Sequence, residues 1–192
     1  MIILILGLLI FLGAHSVRIF ADGWREAQMA RLGVNVWKGL FALVSLVGLT
    51  LIAIGYGQAR LAPIALWSPP MGLRHLASLL ILIAFVLIAA AYIPGNRIKA
   101  KIGHPMVAGV KGWALAHLLV NGNLADVLLF GSFLAWSVLD YRSARRRDRM
   151  AGTVYPVGPL SQDIMAVVAG LVAWVVFAFW LHGWLFNVRP FG

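Results

Sequence analysis

The chain has 192 residues, 62% of them hydrophobic and 11% charged, with a net charge of +10 and no cysteine. An apolar share far above the roughly 45–50% of soluble domains implies a membrane protein, and mean hydropathy of +0.92 agrees. The missing cysteine excludes disulfides, iron–sulfur clusters and thiolate zinc sites, and basic residues set between apolar spans fit topology signals and anionic headgroups better than nucleic acid.

Met1 to about Phe20 is the first apolar run. It lacks a basic leader and an A-x-A site and reads as a retained helix rather than a secretory signal. The later spans predicted are 36–56, 73–93, Pro105–Val120, 124–141 and 164–186, most of them near the roughly 20 residues that cross a bilayer core. Proline at the first turn starts the fourth span without wasting a donor. Asn121-Gly122-Asn123 tolerates positive φ and turns the chain back into a short hairpin. The second connection, with Pro63, Trp67, Pro69 and Pro70, is too proline-rich to be helical. The polar segment 142–163, carrying Arg145-Arg146-Arg147, reads as a long loop with a headgroup anchor.

Loop charge gives the orientation. Arg18, Arg25, Arg31 and Lys38 border the first loop, Arg97, Lys99 and Lys101 the third, and Arg142, Arg145, Arg146, Arg147 and Arg149 the fifth. The second has Arg60 and Arg74, and the fourth has none. This alternation predicts an all-α polytopic membrane bundle of about six transmembrane helices, odd loops cytoplasmic, N- and C-termini outside. It forms one domain over 1–192 in a bacterial inner membrane. Trp67, Trp180 and Trp184 then fall at the outer interface, Trp24 and Trp37 at the inner one. Internal repeats and nucleotide, hydrolase and zincin motifs are missing.

Five histidines remain to be placed: His15, His75, His104, His117 and His182. No carboxylate stands at metal-ligand spacing within a span, so a metal held by protein alone would need three of them to converge. Two histidines on different helices can instead ligate a haem iron from both faces. His117 shares its helix side with Met106, Gly109, Val110, Trp113 and Asn121; the plainer alternative is a buried histidine bonded to a carbonyl. His15 follows Leu8, Phe11 and Leu12, with Arg18 one turn on. Arg18 suits a haem propionate or a snorkelling role at the membrane boundary. His104 and His75 read as helix-start residues at the interfaces, His182 as part of the outer belt. At 1.5 Å per residue, His15 lies roughly 20 Å from the outer end of its helix and His117 about 6 Å from the Asn121 turn. His75 matches His117 better in depth and is the reserve ligand.

At Gly13-Ala-His15-Ser16, Gly72-Leu-Arg-His75, Gly103-His104-Pro105-Met106, Trp113-Ala-Leu-Ala-His117-Leu-Leu-Val-Asn-Gly122 and Asp140-Tyr-Arg142, the chain resembles the NnrU family, which includes the zeta-carotene isomerases. The resemblance implies haem b held by two histidines, at positions matching His15 and His117, and a link to denitrification and nitric oxide metabolism or to cis–trans isomerisation of an apolar substrate. The isomerase branch has a cysteine where this chain has Ala114, and an arginine where it has Gly103. Two other readings stand beside it. His104-Pro105-Met-Val-Ala-Gly109 resembles the helix start of isoprenylcysteine carboxyl methyltransferases, with Tyr155 left to help hold S-adenosylmethionine. A non-catalytic accessory protein for a respiratory reductase is the third. The partners expected are the bilayer, an apolar small molecule or a reductase, and no nucleic acid.

Overall fold

The computed structural model describes residues 1–191. Its elements are α1 (Ile2–Phe20), α2 (Asp22–Leu32), α3 (Val34–Leu61), α4 (Leu73–Tyr92), α5 (Arg97–Ile102), α6 (Pro105–Val120), α7 (Leu124–Ala151), α8 (Leu160–Val176), a π-helical turn (Phe177–Leu181) and α9 (His182–Phe186). Five helices are long and apolar enough to cross a membrane: α1, α3, α4, α7 and the run Leu160–Phe186; α6 is a shorter apolar helix. The chain is an all-α polytopic membrane bundle. Large apolar side chains such as Leu43, Leu46, Leu79 and Val172 are exposed along the spans, which in a membrane means that they face lipid.

Local chemistry sets the boundaries. Asn96 caps α5 by accepting from the Lys99 backbone N–H at 2.7 Å, and Pro105 occupies the first position of α6. Asn123 and Asp126 form a capping box at the start of α7, and Gly152 ends that helix with φ of 62°.

The helices pack as a row in the order α3, α1, α7, α6, α4, α8. Without a hydrophobic drive between helices in lipid, close backbone approach at small residues does the work. On the α1–α3 seam a Cβ on Gly7 would lie 2.5 Å from the Ile52 nitrogen, and one on Gly48 2.8 Å from that of Phe11. A buried cluster of Leu4, Leu8, Ile52, Leu129 and Phe130 ties α1 and α3 to α7.

The connections alternate between two ends of the bundle. At one end Gly158 donates its N–H to the Gly95 carbonyl, Arg97 pairs with Asp163, and Arg147 reaches the Arg18 carbonyl, so loops one, three and five meet. At the other, Leu66 donates to the Gly122 carbonyl, Leu124 to that of Ile64, and Arg60 to that of Phe186. This is the sorting that loop charge predicts.

Three elements differ from the sequence reading; one is α5, a helix of six residues inside the third loop. α2 stands where a plain loop is expected, because its mixed sequence has no apolar run; it leans on α3 through an edge contact of Trp24 and Trp37. α7 runs ten residues past its expected end at Tyr141, through the arginine run to Ala151. Arginine is a good helix former, and nothing breaks the helix before Gly152.

Candidate functional site

His15 lies on α1 with its ring stacked on Phe11 at 4.2 Å between centroids, beside Phe41 at 4.9 Å and edge-on to Trp136 at 5.9 Å. Its Nδ1 donates to the Phe11 carbonyl at 2.7 Å. His117 repeats the pattern on α6: Nδ1 donates to the Trp113 carbonyl at 2.9 Å, and the ring stacks on Phe130 at 4.5 Å. A carbonyl four residues back is what any buried helical histidine finds. In each, Nε2 lacks a partner among the described residues while remaining unsealed, as it also does in His182, since the buried unpaired side-chain atoms there are Trp136 Nε1 and Gln162 Oε1. An imidazole with Nδ1–H committed to a carbonyl and Nε2 free has the tautomer and orientation of an iron ligand.

The two histidines stand at different levels. Trp136, beside His15, and Phe130, beside His117, are six residues apart on α7, about 9 Å along its axis. Phe133 fills part of the gap, touching Phe11 at 5.8 Å and Trp113 at 5.6 Å. The depth mismatch expected from sequence is therefore present. Imidazole nitrogens are suitable donors for haem iron, but in this arrangement the two rings share no cavity, with Phe133 between their surroundings.

His15 and Arg18 line one cleft of about 540 Å³ with Phe41, Trp136, Asp140 and His104, within the usual range of ligand sites. His117 is not in its lining. A second groove, about 650 Å³, runs along α8 and is lined by apolar side chains only, among them Phe85, Val168 and Phe177, so it offers no reactive group. Of the other histidines, His75 is exposed at the start of α4, and His182 packs against Phe177 and Phe186 with Nδ1 donating to the Val188 carbonyl.

His104 is more than a helix-start residue. Its Nε2 donates to Asp148 Oδ2 at 2.9 Å; Tyr155 Oη donates to the same oxygen at 2.9 Å, and Arg145 Nη1 at 3.2 Å. Burial, then the hydrogen bond to Asp148 and its charge, raise the Tyr155 hydroxyl above its ordinary pKa. Gly103, at φ of 79°, leaves the room: a Cβ there would strike the Arg145 guanidinium. Sequence reading misses this cluster because Asp148 and Tyr155 are assigned to a loop, whereas the extension of α7 carries Asp148 back over the start of α6. Lys111 is likewise missed. It lies within the α6 span with Nζ 4.4 Å from the centre of the Tyr141 ring, where a cation–π contact offsets some of its desolvation.

A protein-family model described as NnrU protein matches residues 3–190. No curated protein and no solved structure matches the chain.

Proposed function

Since the chain belongs to the NnrU family over nearly its whole length, we propose that it binds haem b in the membrane, with His15 and His117 as iron ligands and Arg18 pairing a propionate. The observation that carries this is the state of the imidazoles at the two positions that match the family's ligands, each anchored through Nδ1 and free at Nε2. Phe11, Phe41, Phe130 and Trp113 surround them with apolar surface and would limit access of water to a bound iron. Arg18 lines the cleft with His15 and makes no ion pair among the described residues, which leaves its planar fork for a carboxylate.

Bound haem would supply electron transfer. We assign it to nitric oxide metabolism linked to denitrification, in a bacterial inner membrane with both termini outside. With Ala114 in place of a cysteine, no thiolate is available for ligand exchange, which weighs against isomerisation of an apolar substrate. The spectrum of detergent-purified protein expressed with adequate haem tests the proposal. A Soret band with the sharp visible bands of six-coordinate iron is expected, lost in His15→Ala and changed to five-coordinate in His117→Ala. No Soret band, or His117→Ala identical to the parent, refutes bis-histidine ligation.

One observation favours a second reading, methyl transfer from S-adenosylmethionine: the His104-Pro105 start of α6 and Tyr155 meet at Asp148. Calorimetry with S-adenosylmethionine decides it, and no heat of binding removes it.

A further inference from the structure

The cleft beside His15 has an uneven electrostatic lining. Arg18 on α1, Arg25 on α2, Lys38 on α3, Lys99 on α5 and Arg147 on α7 converge on it from five helices, against the single carboxylate of Asp140. Among the described residues only Arg25 of these cations has a carboxylate within ion-pair distance, that of Asp22 at 3.1 Å. Lys99 Nζ donates to the Ala91 carbonyl at 2.9 Å, and Arg147 to Ser143 Oγ at 2.8 Å and the Arg18 carbonyl at 3.3 Å; these neutral oxygens orient the side chains without cancelling their charge. Among the described residues Arg18 and Lys38 have no such partner.

Like charges gathered from separate elements repel one another, and water screens them only partly in a cleft with apolar walls. An anion that bridges them turns that repulsion into attraction. The rest of the lining says what is attached to the anion: Val17, Phe41, Met106, Val107 and Trp136 add apolar surface to the same cleft. The cleft also lies where α1 ends and α3 begins, the boundary between span and loop.

We propose that this cleft is a built site for an anionic phospholipid, its phosphate held among Lys38, Lys99, Arg147 and Arg18 and its upper acyl chain laid on Phe41, Val107 and Met106. A volume of about 540 Å³ takes a head group and the start of the chains, with the remainder in the bilayer. Haem and lipid would draw on one cleft, through His15, Arg18 and Phe41, so the lipid is the occupant of the haem-free chain; Arg18 is left unaltered in the test.

Native mass spectrometry of the full chain in detergent, with phosphatidylglycerol added, reads retention directly. One phosphatidylglycerol per chain is expected to survive delipidation, with phosphatidylcholine retained at least tenfold less. The triple variant Lys38→Gln/Lys99→Gln/Arg147→Gln is expected to lose retention about tenfold, and Lys38→Gln alone, altering a side chain without a partner, about threefold. Arg74→Gln, at the other end of the bundle, is expected to leave retention unchanged. Equal retention of the two lipids, no loss in both cleft variants, or inorganic phosphate displacing the lipid at comparable concentration overturns the proposal. Separate samples keep the two proposals apart: no Soret band from haem-supplied protein without added lipid refutes the haem alone, and no selective lipid retention by haem-free protein refutes the lipid alone.

Discussion

Replacing Asp148 with asparagine tests whether the cluster around His104 fastens the end of the bundle together. One oxygen, Oδ2, accepts from His104, Tyr155 and Arg145 at 2.9, 2.9 and 3.2 Å, joining the start of α6, the end of α7 and the segment 152–159. A hydrogen bond to a charged partner is worth about 1.5–3 kcal/mol and a neutral one about 0.5–1.5, so asparagine forfeits about 1 kcal/mol at each well-buried bond. The Asp148 side chain is 13% exposed, but those of Arg145 and His104 are 34% and 28% exposed, and solvent reduces their shares to a few tenths each. The expected loss is about 1.5 kcal/mol. Tyr155→Phe removes one of the same bonds and is expected to cost about 1 kcal/mol. Because the two changes share that bond, the double variant should lose about 0.5–1 kcal/mol less than the sum of the singles. Equilibrium unfolding of the full chain in mixed micelles, titrated with SDS and followed by circular dichroism, measures all four species. Additive losses, or an Asp148→Asn chain as stable as its parent, would refute the fastening.

Two further predictions use the same assay. Gly55→Leu sets a side chain against the Leu4 backbone, with Leu4 Cα only 2.6 Å from the new Cβ; it is expected to cost about 3 kcal/mol by overpacking. Gly57→Leu, whose Cβ meets nothing within 4 Å, serves as the control, and equal stability of the two variants would dismiss the close α1–α3 seam. The raised Tyr155 pKa gives a pH dependence: the folded state keeps the proton longer than the unfolded chain, whose tyrosine titrates near 10. Tyr155 therefore contributes fully below about pH 10, and its contribution falls as pH rises through the folded value. The stability advantage of the parent over Tyr155→Phe should be flat up to about pH 10 and shrink above it; an advantage constant to pH 12 would contradict the hydrogen bond to Asp148.

The parts of this fold legible in sequence are those governed by a single local rule. Hydropathy marks the spans, proline and the Asn-Gly-Asn turn bound α6 at the residues observed, and basic residues sort the loops to two ends. Where two rules compete, the reading fails. The arginine run after Tyr141 is polar, so hydropathy ends the span there, yet arginine favours helix and α7 continues to Ala151. That one continuation decides the chemistry at this end of the bundle. It carries Arg145 over Gly103, places Asp148 against His104, and brings Tyr155 back to the same oxygen.

The histidine pair shows the complementary limit. Residue type and helix side identify His15 and His117 as unusual in a membrane, and depth arithmetic places them at different levels, as found. Neither operation reveals that both rings use Nδ1 on a carbonyl and leave Nε2 free, because that depends on side-chain rotation set by Phe11, Phe41 and Phe130. The cationic cleft is harder still to read in sequence. Its residues come from five helices and are individually ordinary boundary lysines and arginines, each adequately explained by topology. Only the packing of α1 between α3 and α7 turns those separate topology signals into one concave surface with a shared need for an anion.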